Sequence, residues 1–319
     1  MTDHKWLNCR LVDIQYQLDQ HGHRVSKPVI SRLLRANGYR LRANVKQAAG
    51  GQHPDRDDQF SYMRTQRDRY HAAGQPVISV DTKKKELVGN FKNGGRTWGQ
   101  QAELVDAHDF PHDALGRAVP YGIYDLQANC GTVYVGQSAD TPRFAVDNIA
   151  HWCATEGRSR YPLATQLLIE ADSGGSNSAR SRVWKYHLQA HVADRFGLSV
   201  TVCHYPTGTS KWNPIEHRLF SEISKTWQGC PLRSFDLVLH YITLTTTQTG
   251  LTVQAHLVPT TYQTGEKVSN DEMATLNIHY HPICPQWNYT IRVSRQYTLG
   301  TCEMRFARCC KAFPCHARK

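Results

Sequence analysis

The middle of the chain carries a fixed order of short runs that constrains its fold more than any other feature. QPVISVD (75–81), GRAVPYGIYDL (116–126) and GTVYVG (131–136) are apolar, β-branched and strand-like, and the residues between the last two fit a hairpin. Thr141 and Pro142 then open a helix to about Thr155, with Phe144, Val146, Ile149 and Trp152 on its buried side. QLLIEAD (166–172) reads as a buried strand, 177–196 as a helix, LSVTVCHY (198–205) as a strand, and Asn213–Pro214 as the start of a helix running to about Trp227. Three antiparallel-compatible strands followed by alternating helices and strands predict an α/β domain, a mixed sheet with helices on both faces.

That order is the one the ribonuclease H-like fold uses, and it predicts a catalytic domain over 76–235 with an extension over 236–293. Residues 82–115, rich in Lys, Gly and Asp, form a long excursion of the kind that is usually functional or mobile. Beyond 235 the pattern weakens to a helix from Phe235 to Thr247 and a strand, LTVQAHLV (251–258).

The 319 residues include 38 Lys+Arg against 27 Asp+Glu, a net charge of +11. Residues 1–75 carry +6, 76–291 carry −1 and 292–319 carry +6, so the excess sits at the two ends, as a phosphate-binding arm on a globular body would have it. Leu7, Leu11, Ile14 and Leu18 mark a helix ending near Gly22. Ser26 as N-cap, Pro28 in the first turn and Gly38 as the stop mark a second, with Val29, Ile30, Leu33 and Leu34 facing inward. Its outer side carries Lys27, Ser31, Arg32 and Arg35, making 1–43 a helix-turn-helix candidate for a DNA groove; a plain helical hairpin with a solvated basic face has the same pattern. Residues 44–75 read as a linker and a charged connecting helix from about Asp57 to Ala73, and 294–319 as a basic, Cys-rich, disordered tail. No signal peptide or apolar span is apparent, so the expectation is a cytoplasmic protein with no membrane partner; ten Cys without a CxxC pair are expected to stay reduced.

Three carboxylates fall where such folds collect their ligands. Asp81 ends the first strand, Asp172 ends a later one, and Glu216 lies in the first turn of the last helix. Singly each has an ordinary explanation: a turn residue for either Asp, a capping-box partner of Asn213 for Glu216. Together they would repel one another unless a cation sat between them, and an all-oxygen set suits Mg²⁺ or Mn²⁺, two of which can drive phosphodiester cleavage or transfer. Lys83, Lys84 and Lys85 would hold DNA phosphates or form a solvated turn. SGGS (173–176) allows close backbone approach without being a nucleotide P-loop, and His204, His217 and His240 read as ordinary polar residues.

VISVDTKKKELVGNFKNGG, AVPYGIYDL, LLIEADSGGSN, HYPTGTSKWNPIEHRLFSEI, TTTQTGLTV and WNYTI resemble, in order over about residues 22–293, the ISAzo-type insertion-sequence transposases of bacteria, and KWNPIEHRLF is similar to the acidic segment of the Tc/mariner superfamily. The resemblance implies a DDE transposase with Asp81, Asp172 and Glu216 as catalytic and metal-binding residues, two Mg²⁺ (or Mn²⁺) ions, and a helix-turn-helix on the terminal inverted repeats. It further implies cleavage at the transposon ends, attack of the freed 3′-hydroxyl on target DNA, and a homo-oligomer in the synaptic complex. The family carries more helical sequence ahead of GHRVSKPVISRLL and finishes near WNYTI, so the alternative expectation is a truncated remnant that only binds DNA.

Overall fold

The computed structural model describes residues 10–40 and 53–294. Contacts divide the chain into two units, Met1–Gly51 and Gln52–Lys319. In the first, α1 (Leu11–Gln20) and α2 (Lys27–Ala36) form the expected pair of helices. The Arg10 N–H and guanidinium donate to the Asp13 carboxylate at the start of α1, Pro28 occupies the first turn of α2, and the Tyr39 N–H turns back to the Leu34 carbonyl past Gly38, whose φ of +81° is the left-handed stop. Ile30 is buried and Lys27, Arg32 and Arg35 are exposed, while Ser31 is only half-exposed. Leu33, expected inward, is 50% exposed, and of the four apolar positions of α2 only Ile30 is buried, with Val29 and Leu34 half-buried. Leu7, most of the 44–56 linker, and the tail from residue 295 lie outside the described residues.

The second unit begins with α3 (Arg56–Ala72), β1 (Val77–Thr82), β2 (Glu86–Val88), β3 (Gly116–Asp125) and β4 (Cys130–Gly136). α4 (Pro142–Trp152) runs through a π turn into α5 (Arg158–Arg160), and β5 (Gln166–Ala171) follows. α6 (Arg182–His187), a second π turn and α7 (Asp194–Phe196) make one rod before β6 (Ser199–His204). A third π turn, Glu216–Phe220, opens the helix that continues as α8 (Ser221–Thr226), followed by α9 (Phe235–Thr243), β7 (Thr252–Val258), α10 (Asn270–Ala274), β8 (Ile278–Tyr280) and β9 (Asn288–Ile291).

The strands form one mixed sheet in the order β7-β4-β3-β1-β5-β6-β9-β8, with β2 on β3. β1, β3 and β4 are antiparallel neighbours, and β5 and β6 extend parallel to β1. Numbered within the core, these five run 3-2-1-4-5, the ribonuclease H-like arrangement. β7 adds parallel to β4, and β9 antiparallel to β6, so the stretch beyond 235 completes the sheet at both edges. The alternation predicts the strand at 252–258 but not its place beside β4, and β9 escapes the sequence reading altogether.

Alternation divides each strand between two layers. Ile78, Val80, Leu167 and Ile169 pack beneath α4 and α6 with Phe144, Ile149, Trp152 and Trp184. On the other face Tyr124, Val133 and Val135 meet Ile215, Leu219, Phe220 and Ile223 of the last core helix. α3, read from its charge as a connector, instead buries Met63 and Tyr70 against Val77, Leu168 and Cys203 of the sheet. Its charged outer side hid a narrow apolar stripe spaced by seven residues.

Candidate active site

The same alternation builds the site. With Ile78 and Val80 in one layer, Val77, Ser79 and Asp81 point to the opposite face; with Leu167 and Ile169 in that layer, Leu168 and Glu170 point opposite too. β1 and β5 are parallel, and their last paired rung is Val80 with Ala171, so Asp81 and Asp172 emerge side by side. Glu216 arrives from the helix above. The buried Ser79 hydroxyl donates to the Asn213 side-chain carbonyl and accepts the Ile215 N–H, while the Asn213 amide donates to the Val80 carbonyl. Asn213 is therefore no side-chain cap for Glu216; it pins the helix start to β1, two residues from Asp81.

A missing side chain lets the helix come this close. Gly122 pairs directly with Asp81 across β1 and β3, and a Cβ there would lie 2.5 Å from the Phe220 ring and 2.9 Å from Ile215 Cδ1. We expect Gly122→Ala to cost about 1–3 kcal/mol in denaturant unfolding, by overpacking. An unchanged stability would show that the helix is not held against β3.

Asp81 is buried, and burial, reinforced by the charge of Asp172 and opposed by the Thr82 N–H (2.7 Å), pushes its carboxyl up to about 8; Glu216 adds a further charge and a side-chain hydrogen bond. Asp172 is pushed up to about 6 by burial, against the Gly174 N–H and the Asn177 side chain, with Glu216 and Asp140 adding repulsion. One oxygen of Asp172, Oδ1, is buried without a hydrogen-bond partner. A cavity of about 450 Å³ opens here, lined by Asp81, Asp172, Asp140, Lys83, Lys85 and Gly174 among others. Among the described residues no three His, Cys, Asp or Glu side chains stand in a ready-made metal cage. The chemistry of the donors nonetheless fits a hard divalent cation: all are carboxylate oxygens, their mutual repulsion is what a cation relieves, and Asp172 Oδ1 lacks any other partner.

The three lysines separate. Lys84 is 82% exposed. Lys85 pairs with Asp140 at 3.3 Å. Lys83, expected to face DNA, is turned inward with its side chain 8% exposed, 3.6 Å from Glu86 and 4.7 Å from the centre of the Trp227 ring. Its backbone N–H bonds to Pro120 because β1 pairing continues one residue past the strand, and that directs the side chain under the helix.

Two residues escaped the sequence reading. Asp140 lies just before α4 and accepts from the Thr82 hydroxyl at 3.2 Å, a placement no spacing rule announces. His204, read as ordinary, is fully buried, its ring Nδ1 lies 2.8 Å from the Asp172 carbonyl oxygen, and burial pushes its pKa down to about 4, keeping it neutral. Its position at the end of β6 was the only signal.

A ribonuclease H-like sheet bearing Asp and Asp at adjacent strand ends and Glu on the following helix is the framework of the DDE transposases. A family model described as the Rhodopirellula transposase DDE domain matches residues 1–293, and the chain belongs to that family. The match begins ahead of residue 22, where the motif resemblance starts. Among solved structures, the Mos1 transposase paired-end complex with left transposon end is 12% identical with a TM-score of 0.45, covering 76% of this chain and 73% of that one. The Mos1 mariner paired-end complex with Mn gives 12%, 0.44, 76% and 73%. No curated protein matches the chain. None of the described helices is long and apolar enough to cross a membrane.

Proposed function

We propose that this transposase cuts DNA at the ends of its own mobile element and joins the freed 3′-hydroxyl to a target strand, with Asp81, Asp172 and Glu216 holding two divalent cations, Mg²⁺ or Mn²⁺. The observation that supports it is that Asp172 and Glu216 stand close enough to Asp81 to raise its proton affinity, and Glu216 close enough to raise that of Asp172, with Oδ1 of Asp172 buried without a hydrogen-bond partner. Bound there, the ions would supply Lewis-acid stabilisation of the oxygens entering and leaving phosphorus. Asp81 and Asp172 bind from two strand ends and Glu216 from the helix, while the Thr82 N–H orients Asp81 and the Gly174 N–H orients Asp172. Asp81, whose carboxyl is otherwise held toward the protonated form by burial and its neighbours, would favour its ionised form with a cation held there. Lys84 and Lys85, at the mouth of the cavity, meet the DNA backbone; in the other unit Lys27, Ser31, Arg32 and Arg35 of α2 contact the inverted repeats. Two element ends are joined within a homo-oligomer, in the cytoplasm.

The test uses purified full-length protein and a plasmid carrying the DNA that flanks the coding sequence. Mg²⁺-dependent cleavage at the element ends with joined products is expected. Repeat-specific binding without nicking in Mg²⁺ or Mn²⁺ would show a DNA-binding remnant, and free cleaved ends without joined product a nuclease lacking strand transfer. Arg32→Ala and Arg35→Ala should each weaken end binding and reduce the slope of log affinity against log salt by about 1 if they touch phosphates. An affinity and a slope unchanged in both remove Arg32 and Arg35 from the interface.

A further inference from the structure

Asp172 is held from behind by a three-residue chain whose proton positions are forced. Trp184 Nε1 lies 2.9 Å from the Tyr289 hydroxyl, which lies 3.2 Å from His204 Nε2, and His204 Nδ1 lies 2.8 Å from the Asp172 carbonyl oxygen. An indole nitrogen only donates and a carbonyl oxygen only accepts. The Trp184 N–H therefore donates to the Tyr289 oxygen, the Tyr289 O–H donates to His204 Nε2, and His204 carries its one proton on Nδ1, donating it to Asp172. All three side chains are fully buried, from α6, β9 and the end of β6, so no water competes. The chain runs through the layer opposite Glu170 and ends on the main chain of the residue whose Oδ1 has no partner.

We infer that His204 is a positioning residue for Asp172, and that Trp184 and Tyr289 act through it by fixing its tautomer, so that the carboxylate is set for a divalent cation before one arrives. This rests on the metal-binding reading of the site given above. β5 ends at Ala171, and just past it the Tyr205 N–H bonds the Ala171 carbonyl and the Ser173 hydroxyl bonds the Tyr205 carbonyl, so the sheet edge ties the residues on either side of Asp172 while His204 holds the Asp172 carbonyl itself. With the carbonyl anchored, the residue is not free to swing with the Gly-containing turn that follows. Orienting groups of this kind are typically worth about 10- to 100-fold in metal affinity or activity.

Substitution at 204 separates positioning from packing. An Asn side chain places an amide N–H₂ where Nδ1 stands, whereas Gln places it where Nε2 stands. The readout is Mn²⁺ affinity of the full chain, from the free-ion electron paramagnetic resonance signal, with thermal unfolding run in parallel. His204→Gln should weaken Mn²⁺ binding by about 10-fold, and His204→Asn should restore it to within about threefold, the worth of one neutral hydrogen bond. Tyr289→Phe removes the tautomer-fixing proton while keeping the aromatic ring, and should weaken Mn²⁺ by about threefold or more; it carries the test should His204→Gln fail to fold. Equal affinities in Asn, Gln and natural chains, or equal losses in Asn and Gln with Tyr289→Phe unaffected, overturn the proposal while Asp172→Asn still abolishes binding. If Asp172→Asn itself binds Mn²⁺ normally, the metal reading of the site falls first and this inference with it.

Discussion

In metal-free buffer at pH 8, Asp81→Asn should melt at a higher temperature than the natural chain and yet be inactive. Burial beside Asp172 and Glu216 raises the folded-state affinity of Asp81 for a proton to about 8, against about 3.9 in an unfolded chain. A carboxyl raised in this way contributes stability that is fully present below about pH 4 and is lost as pH rises through about 8. The natural chain in chelator should therefore lose melting temperature between pH 5 and pH 8. Asparagine keeps the shape without the charge, so the variant should melt higher at pH 8, by a few °C or more for each kcal/mol recovered, and show a flatter pH profile. Added Mg²⁺ should stabilise the natural chain by mass action and the variant far less. Cleavage should fall by about 10³-fold or more, because several kcal/mol of charge stabilisation at phosphorus is lost. Asp172→Asn and Glu216→Gln should be as inactive. An Asp81→Asn chain that cuts normally would contradict the role proposed for the residue, and one that melts below the natural chain in chelator at pH 8 would contradict the charge repulsion.

Arg67→Ala should destabilise the second unit severely, by about 3–5 kcal/mol, because it strands a buried carboxylate. Glu170 is fully buried in β5, and Arg67 of α3 holds it through two contacts at 2.9 and 2.5 Å, with the Tyr205 hydroxyl at 2.9 Å as its other partner. Removing the guanidinium leaves a charge in the interior with one neutral donor. The double change Arg67→Met with Glu170→Met should recover much of the loss, since apolar pairs of similar volume replace buried ion pairs at little cost. Urea unfolding of the three chains reads both effects. A loss under about 1 kcal/mol for Arg67→Ala would mean that Arg67, whose side chain is about a third exposed, behaves as a surface partner. Because Glu170 stands two residues before Asp172 on the same face, the pair also ties α3 to the strand that carries the site.

The α2 helix shows how far local reading reaches: Pro28, Gly38 and the apolar spacing set its ends to within a residue, because caps and periodicity act over one or two turns. Its burial was less legible, and Leu33 is exposed, since burial depends on what covers a face. The strand-end placements of Asp81 and Asp172 were likewise readable, each being the last residue of an apolar run. Their adjacency was not: it requires β1 and β5 to pair in parallel at Val80 and Ala171, across about ninety residues of chain. Lys83 makes the same point from the other side, as three consecutive lysines look alike until β1 pairing continues past its end and turns the first one under Trp227.

By itself the sequence determined the order of the core elements from β1 to the helix bearing Glu216 and the alternation of apolar residues along its strands, and it marked Asp81, Asp172 and Glu216 as candidates, all consequences of a period of two or 3.6 residues and of local turn chemistry. Tertiary structure alone decided that the charged α3 is part of the core, that strands from beyond residue 251 close both edges of the sheet, that Asn213 clamps β1 rather than capping Glu216, and that His204 stands behind Asp172. Those depend on contacts between residues far apart in the chain, where hydrogen-bond partners are chosen by the packing of whole layers and leave no mark on the spacing of neighbours.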